Sequence, residues 1–362
     1  QGERMRTMRR LLGSIALAAL VAAHGAPLTP AAAQEVVRVP GDDVAIYNLA
    51  GRMQVVRGGG SEVVVRIVRG GDDADRLRVE TGELRGRQTL RIIFPDDEIV
   101  YPEMGRGSNA SMDVRDDGTF GDGRGRDGDR VRIHGRGSGM EAWADVVVEV
   151  PAGQTMSTYL GVGRIEATGV DGTVRLDSGS GGITASDMSG SLVVDTGSGG
   201  VEVSGMNGSL SVDTGSGGVD VSDVAGEDVS IDTGSGGVDV RNVRAGSLMV
   251  DTGSGSVDLS GVSAPDVYVD TGSGGIDLEL LVDVDRLVLD TGSGSVIVRA
   301  PADLGGMVEI DTGSGSIDLD FPLEVNSVRR DRVRGRLGDG DGEIRVDTGS
   351  GSVRFRRKGP EI

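Results

Sequence analysis

The side chains best suited to chemistry are aspartates that recur in one short motif. Asp-Ser-Gly-Ser-Gly begins at Asp177, and Asp-Thr-Gly-Ser-Gly begins at Asp195, Asp213, Asp232, Asp251, Asp270, Asp290, Asp311 and Asp347. An apolar residue followed by Asp-Thr-Gly-Ser matches the signature of aspartic proteases, which need two such loops facing each other so that their carboxylates share one proton. Copies at nearly equal spacing predict stacked turns instead. In these turns each Asp accepts the amide two residues on, and glycine supplies the positive φ of the corner.

A row of stacked aspartates also suggests calcium binding. At the strand spacing of ~4.8 Å, neighbouring carboxylates repel by about 0.9 kcal/mol even at the dielectric constant of water. Turn amides and salt screening could relieve this repulsion, or Ca²⁺ could bridge successive carboxylates. The calcium-binding nonapeptide itself is a poor match, because Asp220 falls one residue late after its glycines. The candidate bridging ligands are Asp195, Asp213, Asp232, Asp251, Asp270, Asp290 and Asp311.

The spacing of the motif predicts a repeat protein. From Asp195 to Asp311 the copies follow at intervals of 18, 19, 19, 19, 20 and 21 residues, and the last copy comes 36 residues later. Apolar and polar residues alternate on both sides of each glycine turn, which predicts two short strands per repeat, each with one face inward. One repeat cannot bury its apolar face alone, so neighbours must stack. We therefore predict an all-β, single-stranded β-solenoid, and ten coils would make a rod of roughly 45–50 Å.

The predicted core consists of small aliphatic side chains that recur once per coil. In the first strand these are Leu192/Val194, Leu210/Val212, Val229/Ile231, Leu248/Val250, Val267/Val269, Leu287/Leu289 and Val308/Ile310. In the second strand they are Val201/Val203, Val219/Val221, Val238/Val240, Val257/Leu259, Ile276/Leu278, Val296/Val298 and Ile317/Leu319. Alternation places the Asp of each motif outward, together with a second row formed by Asp220, Asp239, Asp258, Asp277 and Asp318.

These patterns divide the chain into four segments. They are a signal peptide (1–33), an N-terminal β region (34–155), the solenoid (156–320) and a C-terminal cap with the last coil (321–362). Within the second segment, residues 102–139 are rich in Gly, Asp and Arg without periodicity, which predicts a long mobile loop. The long gap before Asp347 predicts an insertion that caps the rod ahead of the final coil.

The first segment predicts export. Arg9 and Arg10 precede an apolar stretch over residues 11–23, so we expect cleavage between Ala33 and Gln34 and a secreted, periplasmic or cell-envelope protein. The apolar stretch is shorter than the ~20 residues of a membrane helix. No transmembrane segment is therefore expected.

Charge and composition narrow the function further. The net charge is −20, and residues 156–320 contain 27 acidic and six basic side chains. Such a body repels nucleic acids and anionic lipids and favours cations or basic partners. The chain has no cysteine, and His134 is the only histidine after the signal peptide. We therefore predict that the protein is not an enzyme and needs no cofactor, with Ca²⁺ as the one candidate ligand ion. An irregular acid pair in a concave groove would favour the alternative, an envelope hydrolase that cleaves polysaccharide or peptide.

The C-terminus differs in charge from the rod. Its basic residues are Arg354, Arg356, Arg357 and Lys358. Such a run is typical of a solvated tail, and the alternative is contact with an acidic polymer or with the rod of another copy.

Three features are shared with a known family. They are the serial Thr-Gly-Ser-Gly-(Gly/Ser)-Val-Asp units, the segment from Phe321-Pro322-Leu323 to Gly335-Arg336-Leu337-Gly338, and the terminal Thr-Gly-Ser-Gly-Ser-Val from Thr348. Together they resemble the bacterial putative-adhesin family, a domain of unknown function in envelope proteins, over residues 156–358 and more loosely over 34–100. The resemblance implies an exported β-solenoid without catalytic residues. We expect an adhesin-like structural or binding module whose partner is a polymer or protein of the cell envelope or surface.

Overall fold

The computed structural model describes residues 34–121, 128–338 and 340–358. This part of the chain consists of β-strands and two short 3₁₀ helices, Ala74–Arg76 and Pro102–Met104. The predicted signal peptide lies outside the described residues. The strands of the N-terminal region are β1 (Glu35–Val39), β2 (Asp43–Ala50), β3 (Met53–Arg57), β4 (Val63–Gly70), β5 (Arg78–Leu84), β6 (Arg87–Ile93), β7 (Glu98–Val100), β8 (Asn109–Val114), β9 (Asp129–His134), β10 (Met140–Glu141) and β11 (Trp143–Val150).

The remaining strands form the coils and the C-terminal hairpin. They are β12 (Gln154–Val162), β13 (Ile165–Thr168), β14 (Asp171–Ser180), β15 (Ile183–Ser186), β16 (Ser189–Thr196), β17 (Val201–Thr214), β18 (Val219–Ala225), β19 (Asp228–Thr233), β20 (Val238–Arg244), β21 (Ser247–Thr252), β22 (Val257–Ser263), β23 (Asp266–Thr271), β24 (Ile276–Leu280), β25 (Arg286–Thr291), β26 (Val296–Ala300), β27 (Gly306–Thr312), β28 (Ile317–Leu319), β29 (Leu323–Val328), β30 (Arg332–Leu337), β31 (Glu343–Thr348) and β32 (Val353–Arg357).

The coils stack in two parallel ladders, which confirms the predicted β-solenoid. The ladder that carries the Asp of each motif, here called the Asp face, runs β6, β2, β12, β14, β16, the C-terminal half of β17, β19, β21, β23, β25, β31 and β27. The other ladder, the second face, runs β3, β13, β15, the N-terminal half of β17, β18, β20, β22, β24, β26, β32 and β28. Equivalent residues of neighbouring coils pair directly, as Asp213 does with Asp232.

The predicted inward side chains form the core. All of the aliphatic pairs predicted from Leu192 to Ile310 are buried, and burying each such side chain stabilises the fold by about 1.5–3 kcal/mol relative to leaving it exposed. Ile317 and Leu319 are only half-buried. Their strand, β28, pairs with β32 on one side only among the described strands, so no further coil covers them.

The threonine of the motif, and not the predicted aspartate, makes the side-chain hydrogen bonds at the corner. Thr252 is buried, its hydroxyl donates to the carbonyl oxygen of Gly236 in the preceding coil at 3.0 Å, and it accepts the amide of Gly255 at 3.1 Å. The amide two residues after Asp251, on Gly253, donates instead to the Thr233 carbonyl. The prediction that Asp accepts this amide is therefore wrong. Alternation turns Asp to solvent and Thr inward, where an unpaired hydroxyl is costly.

Glycine is needed at these corners because neighbouring backbones come very close. A Cβ on Gly236 would lie 1.9 Å from the carbonyl oxygen of Gly217, one coil away. Neither residue has a positive φ, and among the motif glycines only Gly181 has one, of 143°, so the predicted reason is wrong for the others. Positive φ occurs at the other corner, after the second strand. There Asp187, Asp223 and Asn242 have φ of 54–56°, at positions equivalent to glycines in other coils, and these are the residue types that tolerate this conformation.

The final coil is not at the end of the rod. β31 pairs with β25 on one side and with β27 on the other, while β32 lies between β26 and β28. The predicted place of the final coil, stacked after the insertion at the end of the rod, is therefore wrong. Residues of the insertion form a hairpin, β29 and β30, whose second strand runs antiparallel to β27. The hairpin extends the Asp face beyond β27, which belongs to the outermost coil of the stack.

The N-terminal region extends both ladders and adds a second sheet. β5 runs antiparallel to β6 at the end of the Asp face, and β1, β4 and β11 continue the second face beyond β3. β10, β7, β9 and β8 form a separate four-stranded sheet. The predicted mobile loop, 102–139, thus contains β8 and β9, which pair over six residues. Residues 122–127 within it lie outside the described residues.

The inward assignment can be tested with a charge. We expect Val238→Asp to lower the free energy of unfolding by roughly 3–5 kcal/mol, because Val238 is buried and an unpaired carboxylate there is costly. Met249→Asp is the matched control, since Met249 lies between two inward residues but is exposed. Denaturant unfolding would measure both variants. Equal losses of stability would contradict the assignment.

Candidate functional site

The predicted row of aspartates is present as a continuous column on the Asp face. In stacking order it contains Asp177, Asp195, Asp213, Asp232, Asp251, Asp270, Asp290, Asp347 and Asp311. All of these residues are at least partly exposed, and Asp177 is the most buried of them. Asp347 separates Asp290 from Asp311, because the final coil is inserted there. This set is called the Asp column below.

The N-terminal end of the Asp column is closed by aromatic side chains. Tyr159 occupies the position next to Asp177 in the ladder and stacks on Tyr47 with ring centroids 4.6 Å apart. Phe120, from the segment that follows β8, packs edge-on against Tyr47 at 5.8 Å. Gly121 lies against Tyr159 and Asp177, where an added Cβ would be 3.5 Å from a carboxylate oxygen of Asp177. The N-terminal region therefore covers the start of the column.

Asp177 is the most perturbed carboxyl of the column. Its side chain is 13% exposed, and burial, followed by the charge of Asp195, raises its pKa to about 7. One Arg175 guanidinium lies 3.2 Å from Asp177 and 2.5 Å from Asp195. Since that guanidinium pairs with both carboxylates of two parallel neighbours, the two are not the facing, proton-sharing loops of an aspartic protease.

The middle of the Asp column has no such cation. Within the described residues, Asp213, Asp232 and Asp251 take part in no ion pair. Burial raises the pKa of Asp213, and the charges of Asp195 and Asp232 raise it further. The pKa of Asp251 is likewise raised by burial and then by its two neighbours in the column. Carboxylates held side by side in this way form a line of concentrated negative potential.

Two exposed apolar side chains lie beside this line. Met249 and Tyr268 pair across adjacent strands, two residues before Asp251 and Asp270, and are 51% and 37% exposed. The Tyr268 hydroxyl donates to Asp270 at 3.1 Å. An exposed aromatic ring and a thioether next to carboxylates offer contact to the apolar stem of a long basic side chain as well as to its charge.

The second predicted row is interrupted and partly neutralised, since Asp239, Asp277 and Asp318 each pair with an arginine. Asp277 is followed in the ladder by Ile297 and Arg354 before Asp318 is reached. Arg299 pairs with Asp277 in this row. The two acidic rows therefore differ, and the Asp column is the less neutralised one.

The basic C-terminal run binds its own rod. Arg356 pairs with Asp318 at 2.5 Å, and Lys358 pairs with Glu279 at 2.9 Å. Both basic residues follow the start of β32, a strand held on both sides by neighbouring coils. The prediction of a solvated tail is therefore wrong, because the tail is part of an inserted coil.

The geometry of the Asp column gives only limited support to metal binding. Among the described residues, no group of three or more His, Asp or Glu side chains is placed to hold a metal ion. A bridging ion would have only the two carboxylates of neighbouring coils, whereas Ca²⁺ takes six to eight oxygen ligands. Calcium bridging at Asp195 to Asp311 stays a prediction.

A polar cleft lies between the N-terminal region and the first corners of the solenoid. Its volume is about 1150 Å³, and Arg52, Glu103, Arg164 and Glu166 line it. Arg52 makes two hydrogen bonds to Glu103, at 3.0 and 2.9 Å, and Arg164 lies 3.9 Å from Glu166. Both acids of this concave surface are thus paired with arginine.

Similar proteins were found among sequence families and among solved structures. The sequence model of the Toastrack DUF4097 family matches residues 140–356. A "putative cell adhesion protein" from Clostridium sporogenes ATCC 15579 is 11% identical, with 90% of this chain and 99% of that chain covered and a TM-score of 0.20. A "putative adhesin" from Bacteroides fragilis NCTC 9343 is 10% identical, with 89% and 96% covered and a TM-score of 0.37. No curated protein matches this chain. In the part of the chain that is described, no helix is long and apolar enough to cross a membrane.

The raised pKa of Asp177 predicts a pH-dependent stability. Folded Asp177 keeps its proton up to about pH 7, whereas the ordinary carboxyl loses it near 3.8. The folded state therefore binds more protons between these values, and the free energy of unfolding should fall as the pH rises from about 4 to 7, by up to about 4 kcal/mol. Asp177→Asn should flatten this slope, and Asp171→Asn, an exposed carboxyl on the same strand, should not. An unchanged slope in Asp177→Asn would contradict the burial of this carboxyl.

Calcium bridging makes a separate prediction. If Ca²⁺ joins successive carboxylates, millimolar Ca²⁺ should raise the melting temperature of the protein more than monovalent salt of the same ionic strength does, and chelator should reverse the gain. The triple variant Asp232→Asn/Asp251→Asn/Asp270→Asn should lose this excess. Equal midpoints in Ca²⁺ and in the matched salt would mean that the column is only screened.

Proposed function

This chain belongs to the Toastrack DUF4097 family, a domain of unknown function, and from that premise we propose that it is an exported, non-catalytic, adhesin-like module. Its rigid solenoid presents the middle of the Asp column to a cationic segment of a polymer or protein at the cell envelope. The observation that carries this proposal is the line of Asp213, Asp232 and Asp251, which take part in no ion pair within the described residues.

The straight line of carboxylates in the column suits a linear partner. Carboxylates of neighbouring coils repeat at the strand spacing of ~4.8 Å, while side chains on one face of an extended polypeptide repeat every ~6.8 Å. A flexible chain of lysines or arginines can match this line without a fixed register, because long basic side chains adapt their length. Met249 and Tyr268 supply apolar contact along the same line.

Pairing of the acids in the polar cleft and at the start of the Asp column argues against a hydrolase at either place. Glu103 and Glu166, which line the polar cleft, each lie against an arginine, and Asp177 with Asp195 shares Arg175. A glycoside hydrolase needs two carboxyl groups free to act as acid and as nucleophile or base across a bond. These paired acids therefore favour the binding function. The expected signal peptide supports export, and the cell envelope is the expected location.

The test removes charge from one face at a time. Asp213→Asn/Asp232→Asn/Asp251→Asn changes the column, and Glu202→Gln/Asp220→Asn/Asp258→Asn removes the same number of charges from exposed positions of the second face. Binding to immobilised polylysine would be measured at several salt concentrations. We expect the column variant to bind about tenfold more weakly, from roughly 0.5 kcal/mol lost at each carboxylate, and the control to change little. Equal losses in both variants would attribute binding to net charge and overturn the assigned face.

A further inference from the structure

The inserted C-terminal coil occupies a slot between two other coils. This coil, here residues 343–358, contains β31 and β32. Each of its strands pairs in parallel on both sides, β31 with β25 and β27 and β32 with β26 and β28. Among the described coils it comes last in sequence and second-to-last in the stack.

Contacts in the slot are the same as those between sequential coils. The Thr348 hydroxyl donates to the Gly294 carbonyl at 2.9 Å, just as the motif threonines from Thr196 to Thr291 do to the coil before them. Asp347 is in register with Asp290 on one side and with Asp311 on the other. Ile344 and Phe355 are buried. The slot therefore recognises the repeat pattern of the coil, and it does so on two edges.

Charge makes the slot specific for this coil. Arg356 and Arg357 pair with Asp318 and Asp320, which belong to the coil that contains β28. On the opposite side of the inserted coil, Lys358 pairs with Glu279 of β24. No other coil of the described chain carries such a basic second strand. An acidic rod would repel a foreign acidic coil, whereas this coil brings its own complementary charges.

The order of synthesis leaves the slot open to competition. Residues 306–319 leave the ribosome before residues 343–358, yet they stack outside them. Until residues 343–358 dock, the edges of β25 and β26 lack the partner that they have in the folded protein, and open edges are templates for strands of other chains. At that stage the matching coil of a second molecule competes with the coil of the same molecule.

We propose that the slot also accepts residues 343–358 of a second copy of this chain, so that two molecules exchange their C-terminal coils. Each exchanged coil would make the contacts described above, in the same register and with the same ion pairs. Only the connection that follows β30 would differ, and Gly340 and Gly342 lie in it. Exchange of an identical element is a low-cost route to a dimer because the interface already exists in the monomer.

Engineered disulfides can test the exchange, because the full chain has no cysteine of its own. Val288 of β25 and Arg345 of β31 are direct ladder partners on the outer surface, so Val288→Cys/Arg345→Cys links the coil to its slot. Met307→Cys/Glu343→Cys links the other edge of the same coil. Val193→Cys/Ser211→Cys is the matched control, in the same outward column between two sequential coils.

Each variant is unfolded, refolded at low and high protein concentration, oxidised, and separated by denaturing electrophoresis without reductant. We expect covalent dimers from both slot pairs, with a fraction that rises with concentration and reaches at least about tenfold the control's. The control pair should give monomers with an internal disulfide. Melting of the reduced variants verifies that they fold. Slot pairs that give no more dimer than the control at high concentration would overturn the proposal, as would equal dimer from all three.

Discussion

Direct pairing of each coil with its equivalent in the next is the constraint on which the rest of the structure depends. In a parallel ladder a shift of one residue would turn every inward side chain to solvent, so the register between Asp213 and Asp232 also fixes Val212 against Ile231 and Thr214 against Thr233. The same pairing that builds the core therefore lines up the carboxylates. Repulsion along the Asp column is therefore a consequence of the fold. It opposes folding at each pair of neighbouring coils. The threonine and glycine corners are the points where this stacking is tightest.

Interruptions of the pattern, more than the pattern itself, shape the surface. Arg175 takes the place of an uncharged residue and neutralises the first two carboxylates, and the stacked pair of Tyr47 and Tyr159 ends the column. At the other end Arg332 pairs with Asp311. Negative charge is left concentrated in the middle of the rod, where the coils are most regular. The negative potential of the Asp face is therefore strongest at one place along the rod, which is its middle.

The sequence carried most of the fold, and particular residues explain where it did not. Val238 and Val240 were predictable because alternation beside a glycine turn leaves one face for the core. The same alternation places Thr252 inward, so its hydrogen bonds at the corner were predictable in principle. The motif alone does not distinguish them from bonds made by Asp251. Asn109–Val114 and Asp129–His134 are short strands among glycines, so composition outweighed their weak alternation. The position of the final coil was not predictable, because Asp347 lies in an identical motif that fits equally well against Asp290 or Asp311. Of the candidate site, the aspartates were predictable and their environments were not, since Arg175 and Tyr159 approach them only through stacking.

Insertion of the last coil has a mechanical consequence. In a solenoid that ends with its final coil, tension on the chain terminus peels that coil away one hydrogen bond at a time. Here tension applied at Lys358 acts on β32, which is clamped between β26 and β28. Arg356 and Arg357 pair with β26 alone, but over Val353–Phe355 the strand can leave only by breaking bonds to both neighbours, so the load there is shared by the coils on either side. An inserted coil should therefore resist pulling better than a coil at the open end of a solenoid does.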